Sequence, residues 1–233
     1  MTTGTVTRRT GPGEVRLPAT AATLAVAALY ALLPGELLLG PRLVVPVVEL
    51  VLLVPLVIVN PNRMTRETRW SRMIAIGLDL VVIATNLYSL VALVYQLVNS
   101  DAHDPKRLLV AALQVWLTNL LAFALLFWEL DRGGAVARAH AQRGDLQAAD
   151  FRFSQDENDD AVAEVSRGAS KTSGWIPTFV DYFYVSLTNS SAFSPTDTMP
   201  LSSRAKLLMA TEATAALITS LLVVARAVGT LQS

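Results

Sequence analysis

The chain has no cysteine, so disulfide staples, thiolate metal sites and cysteine nucleophiles are excluded. Its two histidines, His103 and His140, stand alone in polar stretches and give no zinc or acid–base pair. Charge of either sign is scarce. Only 16% of the 233 residues are charged, against about 25% in average soluble domains. Nineteen basic and nineteen acidic residues give a formal net charge of zero, which offers nucleic acid no electrostatic footprint. The glycine patterns that cradle phosphates or dinucleotides are missing, as is a nucleophile elbow, so an enzyme is not expected and neither is a cofactor or resident metal. No apolar run carries arginine at every third position, which excludes a voltage sensor of the usual kind.

What is present is hydrocarbon. Hydrophobic residues make up 52% of the chain, and a membrane span needs about 20 mostly apolar residues in a row. Residues 17–39, 42–60, 73–98, 108–129 and 205–229 qualify. Arg8 and Arg9 precede the first run, but a second follows directly after Gly40 and Pro41, so two spans are expected rather than a cleaved leader. The expected class is an all-α integral membrane protein with about five transmembrane helices, multi-pass in the cell membrane, with lipids as its surroundings.

Residues 1–16, rich in Thr, Gly and Arg, are expected to be disordered. Residues 17–107 then read as a three-helix transmembrane region whose second helix is bent by Pro41, Pro46 and Pro55. The loop "NPNRMTRETRWSRM" carries four arginines against one glutamate and is biased to the cytoplasm. Residues 131–173 read as a soluble loop. Its acidic run "DENDDAVAE" lacks the glycine and the alternating ligands of a calcium loop and is expected to be solvated. No β-periodicity occurs.

Between the last two apolar regions lies "SLTNSSAFSPTDTMPLSSRAKLLM", too polar to cross a bilayer. The preceding "GWIPTFVDYFYVSLTN" reads as a helix too short to span, and non-spanning backbone at membrane depth must be buried in protein or line water. A short helix, an irregular polar segment and a full helix make the layout of a re-entrant pore loop.

The residues carry the layout further. Tyr182 and Phe183 precede Ser186, Leu187, Thr188 and Asn189, and Asp197-Thr198-Met199-Pro200 follows. Glu212 lies within the last run, which closes on Val224-Ala225-Arg226-Ala227-Val228-Gly229. This series resembles the pore region of bacterial potassium channels, Y-F…T-L-T-T-V-G-Y-G-D-x-x-P followed by an inner helix ending in L-V-A-R-L-V-G. The resemblance implies a pore-like domain over 108–233, with an outer helix at 108–130, a pore helix and loop at 174–201 and an inner helix at 202–230. It also implies a homotetramer passing monovalent cations.

The filter departs from the family. Eight residues, Asn189 to Thr196, separate Thr188 from Asp197, and both filter glycines, which aim successive carbonyls at the ion, are missing. Potassium selectivity is therefore not carried over. The candidate pore and filter residues are Thr188, Asn189, Ser190, Ser191, Phe193, Ser194, Pro195, Thr196 and Asp197. The hydroxyls of Thr188, Ser190, Ser191 and Ser194 are candidates to replace water around an ion. Fourfold repetition would make Asp197 a carboxylate ring at the mouth, and it also reads as a turn or cap residue.

Glu49, Asp79 and Glu212 lie inside apolar runs, where ionisable groups are costly and usually paired or functional. Glu212 is expected to brace the pore helix from behind. Asn86, Gln114 and Thr118 read as interhelical hydrogen-bonding residues. The leading expectation is a cation channel with a filter unlike that of potassium channels. The alternatives are a proton- or cation-coupled transporter or membrane regulator, with the three carboxylates as a relay, and a descendant of the channel fold that no longer conducts. Arginines 8, 9, 16, 63–72, 132, 138 and 143 put the N-terminus and the pore loop on the cytoplasmic side, whereas the resemblance implies the opposite orientation.

Overall fold

The computed structural model describes residues 13–99, 105–191 and 198–231, and 75% of the structure is helical. Among the described residues, three helices are long and apolar enough to cross a membrane, over Arg69–Val98, Lys106–Gly133 and Ser203–Ala225.

The first helix, α1 (Leu17–Ala31), has Pro18 in its opening turn, where the missing N–H costs nothing. The apolar run continues beyond Ala31, but the helix stops there. Pro34 is extended and a short 3-10 turn, Gly35–Leu37, follows. This turn is pinned by Tyr30, whose hydroxyl accepts the Leu39 N–H at 2.9 Å, and by Ser89, which donates to the Leu37 carbonyl at 2.9 Å. The second helix, α2 (Val44–Val59), contains Pro55, and Pro46 lies in its first turn. At about 1.5 Å per residue these two helices measure roughly 22 and 24 Å, short of the ~30 Å hydrocarbon core. They are shorter than the apolar runs that encode them.

Asn60 ends α2 and folds the chain back, accepting the N–H groups of Thr65 and Arg66 and donating to the Arg66 carbonyl. That turn presents β2 (Arg63–Met64) to β1 (Glu14–Val15), which pair antiparallel. The expected disorder of 1–16 therefore fails for Glu14 and Val15, while residues 1–12 lie outside the described residues. Thr68 and Ser71 exchange N–H and hydroxyl hydrogen bonds at the start of α3 (Arg69–Asn99). Next comes α4 (Pro105–Leu130), opened by proline.

α4 is the hub. Ala122 through Trp128 are all buried, and α1, α3 and the two later helices pack around it. The termini of these helices gather at two ends. At one end lie the starts of α1 and α3 and the ends of α2 and α4, tied by Trp128 to Glu14 at 2.9 Å and by Arg72 to the Gly133 carbonyl. At the other, Arg107 of α4 pairs with Glu36 at 3.3 Å.

The first of these ends is covered by a cap, and here the sequence reading needs correction. Residues 131–173, read as a soluble loop, are a folded cap. They form α5 (Ala135–His140), β3 (Phe151–Phe153), α6 (Ala163–Ser166) and α7 (Ser170–Ser173), and Arg138, Phe151, Phe153 and Ala169 are buried. β3 pairs antiparallel with β4 (Thr198–Pro200), Arg152 opposite Met199. Strands of two or three residues carry no readable alternation, which is why the chain read as all-α. Most of the acidic run is surface, but Asp156 turns inward to Arg132 at 2.5 Å and to Ser170 at 2.7 Å. Two helices complete the bundle, α8 (Phe179–Ser190) and α9 (Ser203–Leu231).

A braced half-helix as the candidate functional site

α8 begins at the capped end. Asp181 accepts both the N–H of Thr178, at 2.7 Å, and its hydroxyl, at 2.9 Å, and so caps the first turn. From there the helix runs down α4 in the opposite direction. Tyr182 donates to Asp131 at 2.6 Å, Ser186 to the Leu120 carbonyl at 2.7 Å, and Trp116 reaches the Ser190 carbonyl at 3.3 Å. The chain is back at the capped end by Thr198, which faces Phe153, and by Arg204, whose guanidinium reaches Asp150 at 2.5 Å and the Leu130 carbonyl at 3.2 Å. α9 then descends beside α8 and α4, so α8 and α9 both start from the capped end.

Midway down α9, Glu212 is fully buried and faces the last turn of α8. One carboxyl oxygen contacts the hydroxyls of Ser186 and Ser190, the latter at 3.0 Å. The other accepts the Asn189 amide at 2.7 Å, and that amide also donates to the Met209 carbonyl at 2.9 Å. From α4, Asn119 donates to the Glu212 carbonyl at 3.1 Å. Proton counting constrains the cluster. Ser186 has one hydroxyl hydrogen and two acceptor neighbours, so if the Leu120 carbonyl takes it, the Ser186–Glu212 link needs a hydrogen from the carboxyl.

The top of α8 is held by a second network. Arg138 is fully buried, donates to the carbonyls of Trp128 (2.7 Å) and Asp131 (2.8 Å), and lies 5.0 Å from the Tyr182 ring centroid, within cation–π reach. Asp131 accepts the Asp150 N–H at 2.6 Å beside the Tyr182 hydroxyl. Glu14 accepts from Trp128 and from the Phe179 N–H at 2.6 Å, and faces Arg138 at 3.7 Å. Burial, only partly offset by Arg138, raises the Glu14 carboxyl above its ordinary range. Burial would raise Asp156 too, but the bonds from Arg132 and Ser170 outweigh it and hold that carboxyl below its ordinary value.

This geometry alters several expectations. Ser190 and Asn189 are turned to Glu212 rather than to an open lumen. The hydroxyls of Thr188 and Ser191 bond carbonyls one turn back in their own helix, at Tyr184 and Leu187. All four satisfy the polar end of a half-helix, the cheaper outcome where water is scarce. Phe193, Ser194, Pro195, Thr196 and Asp197 lie outside the described residues. Glu49, Asp79 and Glu212 are not assembled into a relay. Glu212 sits with α8, Asp79 lines a small cavity with Arg16 and Glu129, and neither oxygen of buried Glu49 meets a partner. Asn86 and Thr118 are buried.

Asp131, Arg138, Asp150, Ser186 and Asn119 were missed by sequence reasoning. Ser186 lay in the pore-like series without a role, and nothing in the sequence marks charges near a helix end as internal. Among the described residues no group of His, Asp and Glu side chains could hold a metal ion. Comparison of the chain with protein-family models, curated proteins and solved structures finds no match to any of them.

Proposed function

We propose that this chain is the subunit of a homotetrameric, multi-pass cation channel of the cell membrane, in which α8 and the segment after it form a re-entrant pore loop and α9 the inner helix. The observation carrying this reading is the course of the chain around Glu212. A twelve-residue helix enters from the capped end, is fixed at its tip by a buried carboxyl, and the chain returns to that end before a long helix begins. An isolated half-helix is expensive in lipid, and backbone that ends at membrane depth is tolerated where protein buries it or where it lines an aqueous path. In the same reading α1 and α2 complete five spans as shortened members of the bundle.

Arginines at 16, 63–72, 132 and 138 belong to segments of the capped end, so the charge rule makes that end cytoplasmic and the pore loop enters from there. Without filter glycines, discrimination between sodium and potassium is expected to be weak. Glu49, neither of whose carboxyl oxygens has a partner, and Asp79, whose Oδ2 has none, favour a second reading, a proton- or cation-coupled transporter.

One hairpin per chain cannot enclose a hole, so native mass spectrometry of the folded protein in detergent should give a tetramer. Reconstituted in liposomes, it should pass sodium and potassium at similar rates. A folded monomer would remove the pore reading, and strong potassium preference would overturn the account of the filter.

A further inference from the structure

Away from α8, the wedge between α1, α2, α3 and α4 holds a small cavity of about 20 Å³. Its wall is mostly apolar, with Leu53, Leu56, Leu78 and Leu125, yet three polar atoms that line it have no partner. They are Arg16 Nε, Thr20 Oγ1 and Asp79 Oδ2. Arg16 and Asp79 are more than nine-tenths buried. Orphaned donors and acceptors inside a protein are costly, and three around one void call for an occupant.

The chemistry of the set identifies that occupant. Arg16 Nε only donates, Asp79 Oδ2 accepts, and the Thr20 hydroxyl can do either. A single water accepts from Arg16, donates to Asp79 and uses its remaining capacity on Thr20. Three bonds are the usual complement of a buried water, and the volume exceeds the 10–15 Å³ or so that one requires. A metal ion would meet the Arg16 guanidinium at contact distance, so the pairing selects against cations.

A second cavity of about 20 Å³ shares Arg16, Leu56, Ala75 and Glu129 with the first and continues toward the capped end, lined there by Asn60, Glu67, Ser71 and Arg72. Glu67 and Arg72 are partly exposed, 22% and 23%, so this second space abuts solvent. We propose that Arg16, Thr20 and Asp79 form a water-binding site in the interior of the bundle, and that its water exchanges with solution past Glu129 and Glu67. The proposal is independent of the pore reading.

The test is brief X-ray radiolysis of the full-length protein after mixing with oxygen-18 water, read by mass spectrometry. An ordered water beside a buried side chain hydroxylates it. Leu78 and Leu125 should therefore gain oxygen-18 despite their burial. Thr20→Val, which keeps the shape, should reduce the label, and Asp79→Leu should abolish it. Glu67→Leu should delay its arrival at Leu78 while Trp70, exposed on the surface, labels as before. Unlabelled Leu78 and Leu125 in the wild type, with Trp70 labelled, would mean a dry cavity and overturn the proposal. So would undiminished labelling in folded Thr20→Val.

Discussion

Glu212 concentrates in one side chain most of what holds α8 in place. Ser186, Asn189 and Ser190 all aim at its carboxyl. An apolar replacement would orphan the Ser190 hydroxyl, while Ser186 keeps the Leu120 carbonyl and Asn189 the Met209 carbonyl. A buried polar group left without its partner costs about 1–3 kcal/mol, so with the lost Asn189 bond, at about 1 kcal/mol, Glu212→Leu should lower stability by about 2–4 kcal/mol. Glu212→Gln keeps an acceptor oxygen and adds a donor that Ser190 can accept, and should cost about 1 kcal/mol. Thermal melts of the detergent-solubilised variants measure the gap, and equal melting of the two would mean that the cluster carries no weight. Glu212 stood out in the sequence because an acid inside an apolar run is rare. Asn119, which supports it from α4, did not, because one amide among leucines has many uses.

Among elements, the long helices were legible and the short ones were not. Runs such as 108–129 need only a count of apolar residues, and α4 follows that run closely. The same count overran α1, because hydropathy continues through Leu37 while backbone geometry is reset by Pro34. β3 and β4 were invisible, being defined by each other across a gap of more than forty residues. The cap was misread for a related reason. Asp131, Arg132 and Arg138 look like surface charges until their partners, brought in by β3, α5 and α8, surround them.

The cap also has its own pH response. Asp156 is held below its ordinary value by Arg132 and Ser170 against the opposing effect of burial. A depressed folded value means the contribution is complete above the unfolded value, about 3.9, and is lost as pH falls through the folded one. Limited proteolysis between residues 156 and 173 should therefore accelerate on acidification below about pH 4. In Asp156→Asn it should be faster at neutral pH and respond less to acid. An identical acid response in both proteins would assign it to another group.

At the scale of the molecule, the ties that close the bundle span long stretches of chain. Glu14 is the extreme case, since its carboxyl accepts from Trp128, 114 residues later, and from the N–H of Phe179, 165 residues later. During synthesis, at about 5–20 residues per second, that carboxylate therefore waits on the order of 10–30 s for its last partner. Until then Glu14 has Trp128 and Arg138 to meet but not the Phe179 N–H, and Arg138 lacks the Tyr182 ring. Biogenesis of this protein thus has a late closing step. Chains truncated after residue 170 should keep the segment around Glu14 open to protease, whereas chains extended past residue 190 should protect it. Protection already complete at residue 170 would mean that α1 docks without α8. A chain that completes the partners of Glu14 only when synthesis has entered its last third needs either a helper that shields this end of α1 during those seconds or an end able to wait in water.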